Sequence, residues 1–171
     1  MRRSAVLVLI VITAMSLFSA NSEATTPQQP DASIRRGVTG DYKGEGDHNT
    51  TGVGQRARAR VKAGNSVMFQ MKYENTSDRA PDTYFIHGCA GSRKFKVTYF
   101  SEGGNVTEDV VEGDYIPPGV GTEQTRDDFF IKIKAKAKAD PGNVKNCGVT
   151  VTSKGTPDNA DAVIARVKVK D

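Results

Sequence analysis

Residues 55–74 read QRARARVKAGNSVMFQMKYE, and the spacing within them decides the fold class. Ala57, Ala59 and Val61 alternate with Arg56, Arg58, Arg60 and Lys62. After Ala63-Gly64-Asn65, a second run of Val67, Phe69, Met71 and Tyr73 alternates with Met68, Gln70, Lys72 and Glu74. Successive side chains of a strand point to opposite faces, so a period of two marks a strand with one buried face and one wet face. Two such runs about a short Gly/Asn turn predict a hairpin.

The same period recurs downstream. Residues 83–88 form a mostly apolar stretch ending at Cys89, and Phe95, Val97 and Tyr99 alternate with Lys94, Lys96 and Thr98. Phe129, Ile131, Ile133 and Ala135 alternate with Phe130, Lys132, Lys134 and Lys136, which predicts the longest strand. Asp140-Pro141-Gly142-Asn143 is a turn signal. Cys147, Val149 and Val151 give the next strand, and Val163, Ala165, Val167 and Val169 the last. Val106, Val110 and Val111 have helical spacing and predict a helical turn before Pro117-Pro118-Gly119. About seven strands with turn signals between them predict an all-β, two-layer, immunoglobulin-like β-sandwich. In that strand order the first and fifth strands flank the second in one sheet.

Upstream the composition changes. Residues 25–54 hold a polar, Pro-containing tail and then six glycines among Asp, Asn and Thr, the composition of a flexible lead-in loop. Before it, Arg2 and Arg3 precede an apolar run over residues 5–18, and Ser22-Glu23-Ala24 offers small residues at a cleavage point, the layout of a secretory signal peptide. That run is shorter than the roughly 20 residues a membrane span needs. An uncleaved N-terminal anchor is the rival reading. The expected organisation is a signal peptide over 1–24, the Gly-rich segment over 25–54 and the sandwich over 55–171, with no transmembrane segment in the mature chain. Removing Arg2, Arg3 and Glu23 changes the net charge from +4 to +3.

The chain has two cysteines, Cys89 and Cys147. In an exported protein an even count makes a disulfide the default, and a free or metal-binding pair the alternative. In the expected order the strand ending at Cys89 and the strand beginning at Cys147 are antiparallel neighbours, so a bridge is geometrically reasonable.

Residues 31–171 resemble bacterial secreted β-sandwich modules of the adhesion-like, CARDB-like immunoglobulin type. The resemblance rests on Pro30-Asp31-Ala32, residues 34–37, Asn49-Thr50-Thr51-Gly52 before Gln55, Phe95-Lys96-Val97 with Tyr99, Asn105-Val106-Thr107, Val111-Glu112-Gly113 with Tyr115, and Asp161-Ala162-Val163. These are turn and core signatures. The resemblance implies a fold and a non-catalytic role at the surface, and carries over no active site.

Chemistry-bearing patterns are sparse. With His48 and His87 alone and no Gly-x-Ser-x-Gly elbow, nucleophilic catalysis lacks its usual parts. His48 reads as a solvated loop residue and His87 as a structural or surface imidazole. A copper site built from these histidines, Cys89 and a Met lacks the usual Cys-to-His spacing near the C-terminus. The acidic clusters Glu108, Asp109, Glu112 and Asp114, and Asp158 with Asp161, match no EF-hand and read as solvated turns. The expectation is therefore no enzyme, no metal and no cofactor.

One positive feature is segregation of charge, with bases on strand faces and acids in loops. If the first, second and fifth strands share a sheet, its outer face is a basic plate of Arg56, Arg58, Arg60, Lys72, Lys132, Lys134 and Lys136. Such a plate suits an anionic envelope polymer, an acidic polysaccharide or another surface protein, with nucleic acid disfavoured by export and by the lack of interleaved aromatics. Strand lysines also serve simply to prevent edge-to-edge association. The function expected is a secreted or envelope-associated binding or structural module. The alternative is a carbohydrate-binding accessory protein, for which Trp is absent and Tyr42, Tyr84, Tyr115 and Phe130 are the remaining aromatics.

Overall fold

The computed structural model describes residues 29–171, so the signal-peptide reading over 1–24 lies outside the described residues. Among the described residues, nine strands form two sheets. One has the order β1 (Pro30–Arg36), β3 (Ser66–Asn75), β7 (Thr125–Ala135), β5 (Phe95–Ser101) and β6 (Gly104–Asn105). The other has the order β2 (Arg56–Val61), β9 (Ala160–Val169), β8 (Val144–Ser153) and β4 (Tyr84–Gly88). A short helix, α1 (Thr107–Glu112), follows β6, where the spacing of the valines predicts a helical turn.

The protein is an immunoglobulin-like β-sandwich. Its inward faces are the apolar halves of the alternating runs: Phe69, Met71 and Tyr73 of β3, Phe129, Ile131 and Ile133 of β7, and Val163, Ala165 and Val167 of β9 are all fully buried. Tyr73 and Tyr84 meet edge to face across the layers, with ring centroids 6.0 Å apart and planes at 89°. Tyr99 and Phe129 continue the aromatic packing at 5.9 Å. Gly88 is the one residue that fits where it stands, because a Cβ there would lie 2.5 Å from the Tyr99 hydroxyl and 2.8 Å from Val110.

Three expectations need correction. The runs on either side of Ala63-Gly64-Asn65 are not a hairpin: β2 pairs with β9 in parallel, while β3 lies in the other sheet between β1 and β7. The turn thus carries the chain from one layer to the other. Strand spacing alone does not distinguish a hairpin from such a crossing, since both need one buried face.

The second correction concerns residues 25–54, read as flexible lead-in. Pro30–Arg36 forms β1, paired antiparallel with β3 from Pro30↔Asn75 to Arg36↔Phe69. Its first five residues are all buried, including Asp31 and Ser33. Alternation is missing because both faces are covered: the core takes Ala32 and Ile34, and the Gly-rich loop folds back over the other side. Ile34 exchanges main-chain hydrogen bonds with Lys43 at 3.0 and 2.9 Å, and the Arg35 guanidinium stacks 4.4 Å above the Tyr42 ring.

A single carboxylate fastens that loop. Asp161, expected in a solvated turn, is fully buried at the start of β9. It accepts main-chain N–H bonds from Ala32 at 2.7 Å, Asn49 at 2.9 Å and Ala162 at 2.8 Å, and both its oxygens face the Gln55 amide nitrogen at 2.9 Å. It therefore joins β1, the loop and β9. Gly44 must be glycine beneath Gln55, with φ at +99° and a Cβ position only 2.3 Å from the Gln55 Cγ. Burial lifts the neighbouring Asp31 carboxyl above the ordinary carboxylate range, while a hydrogen bond from the Gly46 N–H pulls it down.

Cys89 and Cys147 are disulfide-bonded, with Cα atoms 5.3 Å apart, and they join the end of β4 to β8 in one sheet, as the sequence predicts. The Tyr99 hydroxyl donates to the Cys89 carbonyl at 2.9 Å and sits 3.1 Å from the Cys147 Sγ, sealing the bridge from below.

Two stability outcomes follow. Reducing the bridge, which spans 58 residues, is expected to cost about 4 kcal/mol by the chain-entropy estimate, measured as the shift in urea unfolding with and without dithiothreitol. Asp161→Ala leaves three main-chain N–H groups short of their acceptor and is expected to cost roughly 3 kcal/mol. A loss under about 1 kcal/mol in the same urea assay would show that the carboxylate is not the fastening described.

Candidate functional site

The basic residues singled out in the sequence divide between the two outer faces of the sandwich. Arg56, Arg58 and Arg60 point outward from β2, because Ala57, Ala59 and Val61 point inward and are buried. Lys72, Lys132, Lys134 and Lys136 belong to the opposite layer, on β3 and β7 and just beyond it. The single seven-residue plate is therefore not formed. Its premise was that β2 flanks β3, whereas β1 occupies that place and β2 flanks β9.

Among the described residues, Lys72 and Lys136 are engaged on the β3–β7 face, while Lys132 and Lys134 are not. Lys134 lies opposite Ser66 and Lys96, and Lys132 opposite Met68 and Thr98. Lys72 pairs with Glu45 at 2.8 Å and faces the Tyr42 ring at 5.2 Å. Lys136 donates to the Ser92 carbonyl at 2.8 Å. Lys94, beside it, is held by Asp140, whose carboxyl is drawn below the usual carboxylate range by that hydrogen bond.

The β2–β9 face differs. Parallel pairing sets Arg58 opposite Arg166 and Arg60 opposite Lys168. Same-face residues along a strand repeat at about 6.7 Å, and neighbouring strands lie about 4.8 Å apart, so the four cations make two rungs of a ladder. Arg56 begins a third rung opposite Ile164. Arg36, at the end of β1, and Lys170, just past β9, complete the rim of an open groove over Ala59. An adjoining hollow runs past Arg56 to Lys43 and Gly40, with Asp41 as its acid.

Among the described residues, the ion pairs found lie elsewhere: Lys72–Glu45, Arg79–Asp78, Lys94–Asp140, and Arg126 with Glu102 and Asp128. None of these pairs involves Arg58, Arg60, Arg166 or Lys168, although Asp41 and Asp171 line the adjoining hollows. Like charges directly opposite on a sheet are destabilising, so this face costs the fold a little stability as it stands.

Arg36, Arg166, Lys168 and Lys170 were missed in the sequence reading. Their signal was visible, since Arg166, Lys168 and Lys170 alternate with Ala165, Val167 and Val169 in the same period as β2. What the sequence did not reveal was which strand lies beside which. The aromatics weighed for sugar binding are also placed: Tyr84 is in the core and Tyr42 lies beneath Arg35 and beside Lys72. His48 is exposed, as expected for a solvated loop residue, and His87 is exposed too, which favours the surface over the structural reading of its imidazole.

No protein family's sequence profile matches this chain, and no curated protein matches it. Several solved structures are similar in fold at about one residue in ten identical. One is a family 123 glycoside hydrolase from Clostridium perfringens, at 10% identity and a TM-score of 0.47, covering 84% of this chain and 27% of the hydrolase. Another is the major pilin subunit of Bacillus cereus, at 10% identity and a TM-score of 0.45, covering 83% of this chain and 40% of the pilin. A third is the CARDB domain of a Pyrococcus furiosus protein, at 10% identity and a TM-score of 0.36, covering 84% of this chain and 97% of that domain. The chain spans between about a fifth and a third of the first three of these similar structures, the hydrolase and two Vibrio cholerae proteases. These are likenesses of architecture alone. Among the described residues no helix is long and apolar enough to cross a membrane.

The charge crowding has a measurable consequence. Arg166→Glu places an acid opposite Arg58 and is expected to raise stability by about 0.5 kcal/mol in urea unfolding at low salt. The gain should fade in 0.5 M salt, where opposed surface charges are screened. A loss of stability at low salt would contradict the crowding.

Proposed function

We propose that this protein is a non-catalytic, exported module that holds linear anionic polymers along the β2–β9 face. The observation that carries the reading is the two-rung ladder of Arg58, Arg166, Arg60 and Lys168, set opposite one another and outside the ion pairs found among the described residues. A groove walled by one sign of charge concentrates counter-ions and steers charged ligands toward it. Its spacing of about 6.7 Å along the strand suits a chain whose charges recur at every unit, such as a phosphodiester polymer of the envelope or an acidic polysaccharide. Arginine is well suited to the task, since its planar fork pairs with carboxylate or phosphate through two parallel hydrogen bonds.

Export places the ligand outside the cytoplasm, and it rests on the basic n-region, short apolar run and small residues over 1–24 together with the disulfide. The groove is shallow and open, lined by charge rather than by convergent catalytic groups, which favours retention over turnover. A platform for neutral sugars has less support, because Tyr84 is buried and Tyr42 is stacked under Arg35.

The test is co-sedimentation of the mature protein with purified envelope polymer and with acidic polysaccharide at 20 mM and 500 mM salt. Binding is expected at low salt and is lost at high salt. Neutralising Arg58, Arg60 and Arg166 together to Gln should reduce retention at least tenfold, while Lys132→Gln with Lys134→Gln on the opposite face leaves it within twofold. Equal loss from both sets would show a net-charge effect without a site, and unchanged retention in the triple variant would sink the reading.

A further inference from the structure

The cage beneath the Gly-rich loop takes no part in that reading. Around the Gln55 amide nitrogen, five oxygens converge. They are both carboxylate oxygens of Asp161 at 2.9 Å, the carbonyls of Ala32 at 3.3 Å and Gly44 at 3.4 Å, and the carbonyl of Asp47. A primary amide has two hydrogens to share among them. Acceptors therefore outnumber donors at this point.

Two further groups want a partner. Gln55 is fully buried, and its Oε1 has none. Asp31 is 9% exposed, and its buried Oδ1 also has none, although its Oδ2 accepts from the Gly46 N–H at 2.8 Å. Asp31, Asp161 and His48 each offer a ligand atom, and these atoms all lie within 4.8 Å of one another. Unpaired polar atoms at such depth are costly, and two carboxylates facing each other add repulsion. A cation among these oxygens would give both orphaned atoms a partner and offset the repulsion, beyond what His48 at the edge of the cluster supplies to Asp31.

The donor set identifies the ion. Carboxylate, side-chain amide and main-chain carbonyl oxygens are the ligands of Ca²⁺, which takes six to eight of them in flexible geometry. We propose that the cage formed by Asp31, Asp161, Gln55 and the loop carbonyls of Gly44 and Asp47 binds Ca²⁺. Gln55 turns its amide so that Oε1 faces the ion. Asp161 keeps its three main-chain N–H bonds and gives a remaining lone pair, since a carboxylate has about four acceptor positions. His48 stays outside the set, its Nδ1 being 3.2 Å from the Pro30 carbonyl on the exposed side. The bound ion ties β1, the loop and β9 together and fixes Lys43 beside the basic groove. The inference does not depend on what that groove holds.

The experiment follows thermal unfolding of chelator-treated protein with and without 10 mM CaCl₂. A submillimolar site is expected to raise Tm by about 5 °C. Asp31→Asn, which keeps the size of the side chain and removes its charge, should retain the native circular dichroism spectrum and lose the Ca²⁺ response. In the unmodified protein, Ca²⁺ should slow hydrogen exchange at the amides of residues 44–49, a readout that needs no variant. Absence of both the Tm rise and the exchange protection overturns the proposal. So does a response that survives in Asp31→Asn, which places the ion elsewhere. A response to ZnCl₂ alone that His48→Ala abolishes overturns the assignment to a hard, oxygen-seeking cation.

Discussion

The two layers are closed on their N-terminal side by one buried carboxylate. Asp161 opens β9 in one sheet and takes the N–H of Ala32 from β1 in the other, while Asn49 and Gln55 bring in the loop between. A buried anion is tolerable only when hydrogen bonds replace the water it lost. Here the replacements come from segments far apart in sequence, 129 residues in the case of Ala32. The requirement to satisfy this one charge thus fixes where β1 runs, how the loop lies over it, and how β2 emerges beside β9.

Much of the architecture was legible because a sheet with one wet face writes its burial into the sequence. The inward positions of β2, β3, β5, β7, β8 and β9 follow the period-two runs directly, and the disulfide follows from the expected neighbours of its two strands. β1 was illegible for the converse reason. Its two faces are both covered, so Asp31 and Ser33 are buried along with Ala32 and Ile34, and no alternation remains to read. The Gly-rich stretch behaved like a loop locally, yet its packing over β1 depends on contacts with Tyr42, Gln55 and Asp161 that no local pattern encodes.

The basic residues show the same limit from another side. Their outward direction was correct residue by residue, because the pleat dictates it. Their grouping was not, because it depends on strand order. Once β2 lies on β9, Arg58 meets Arg166 and Arg60 meets Lys168, and the lysines of β7 fall on the far side of the core. Like charges also meet on the other face, where Lys96 lies opposite Lys134, but there Glu45 answers Lys72.

The parallel pairing of β2 with β9 also governs how the molecule carries load. Tension drawn between the N-terminal end of β2 and the C-terminal end of β9 runs along both strands in opposite senses. The rungs from Arg56↔Ile164 to Val61↔Val169 are then strained together in shear, instead of peeling apart one after another. Within the body, the covalent link from Cys89 to Cys147 withholds the intervening stretch from extension even after the sheets part. The same geometry that aligns the cations therefore makes a clamp against pulling along these two strands.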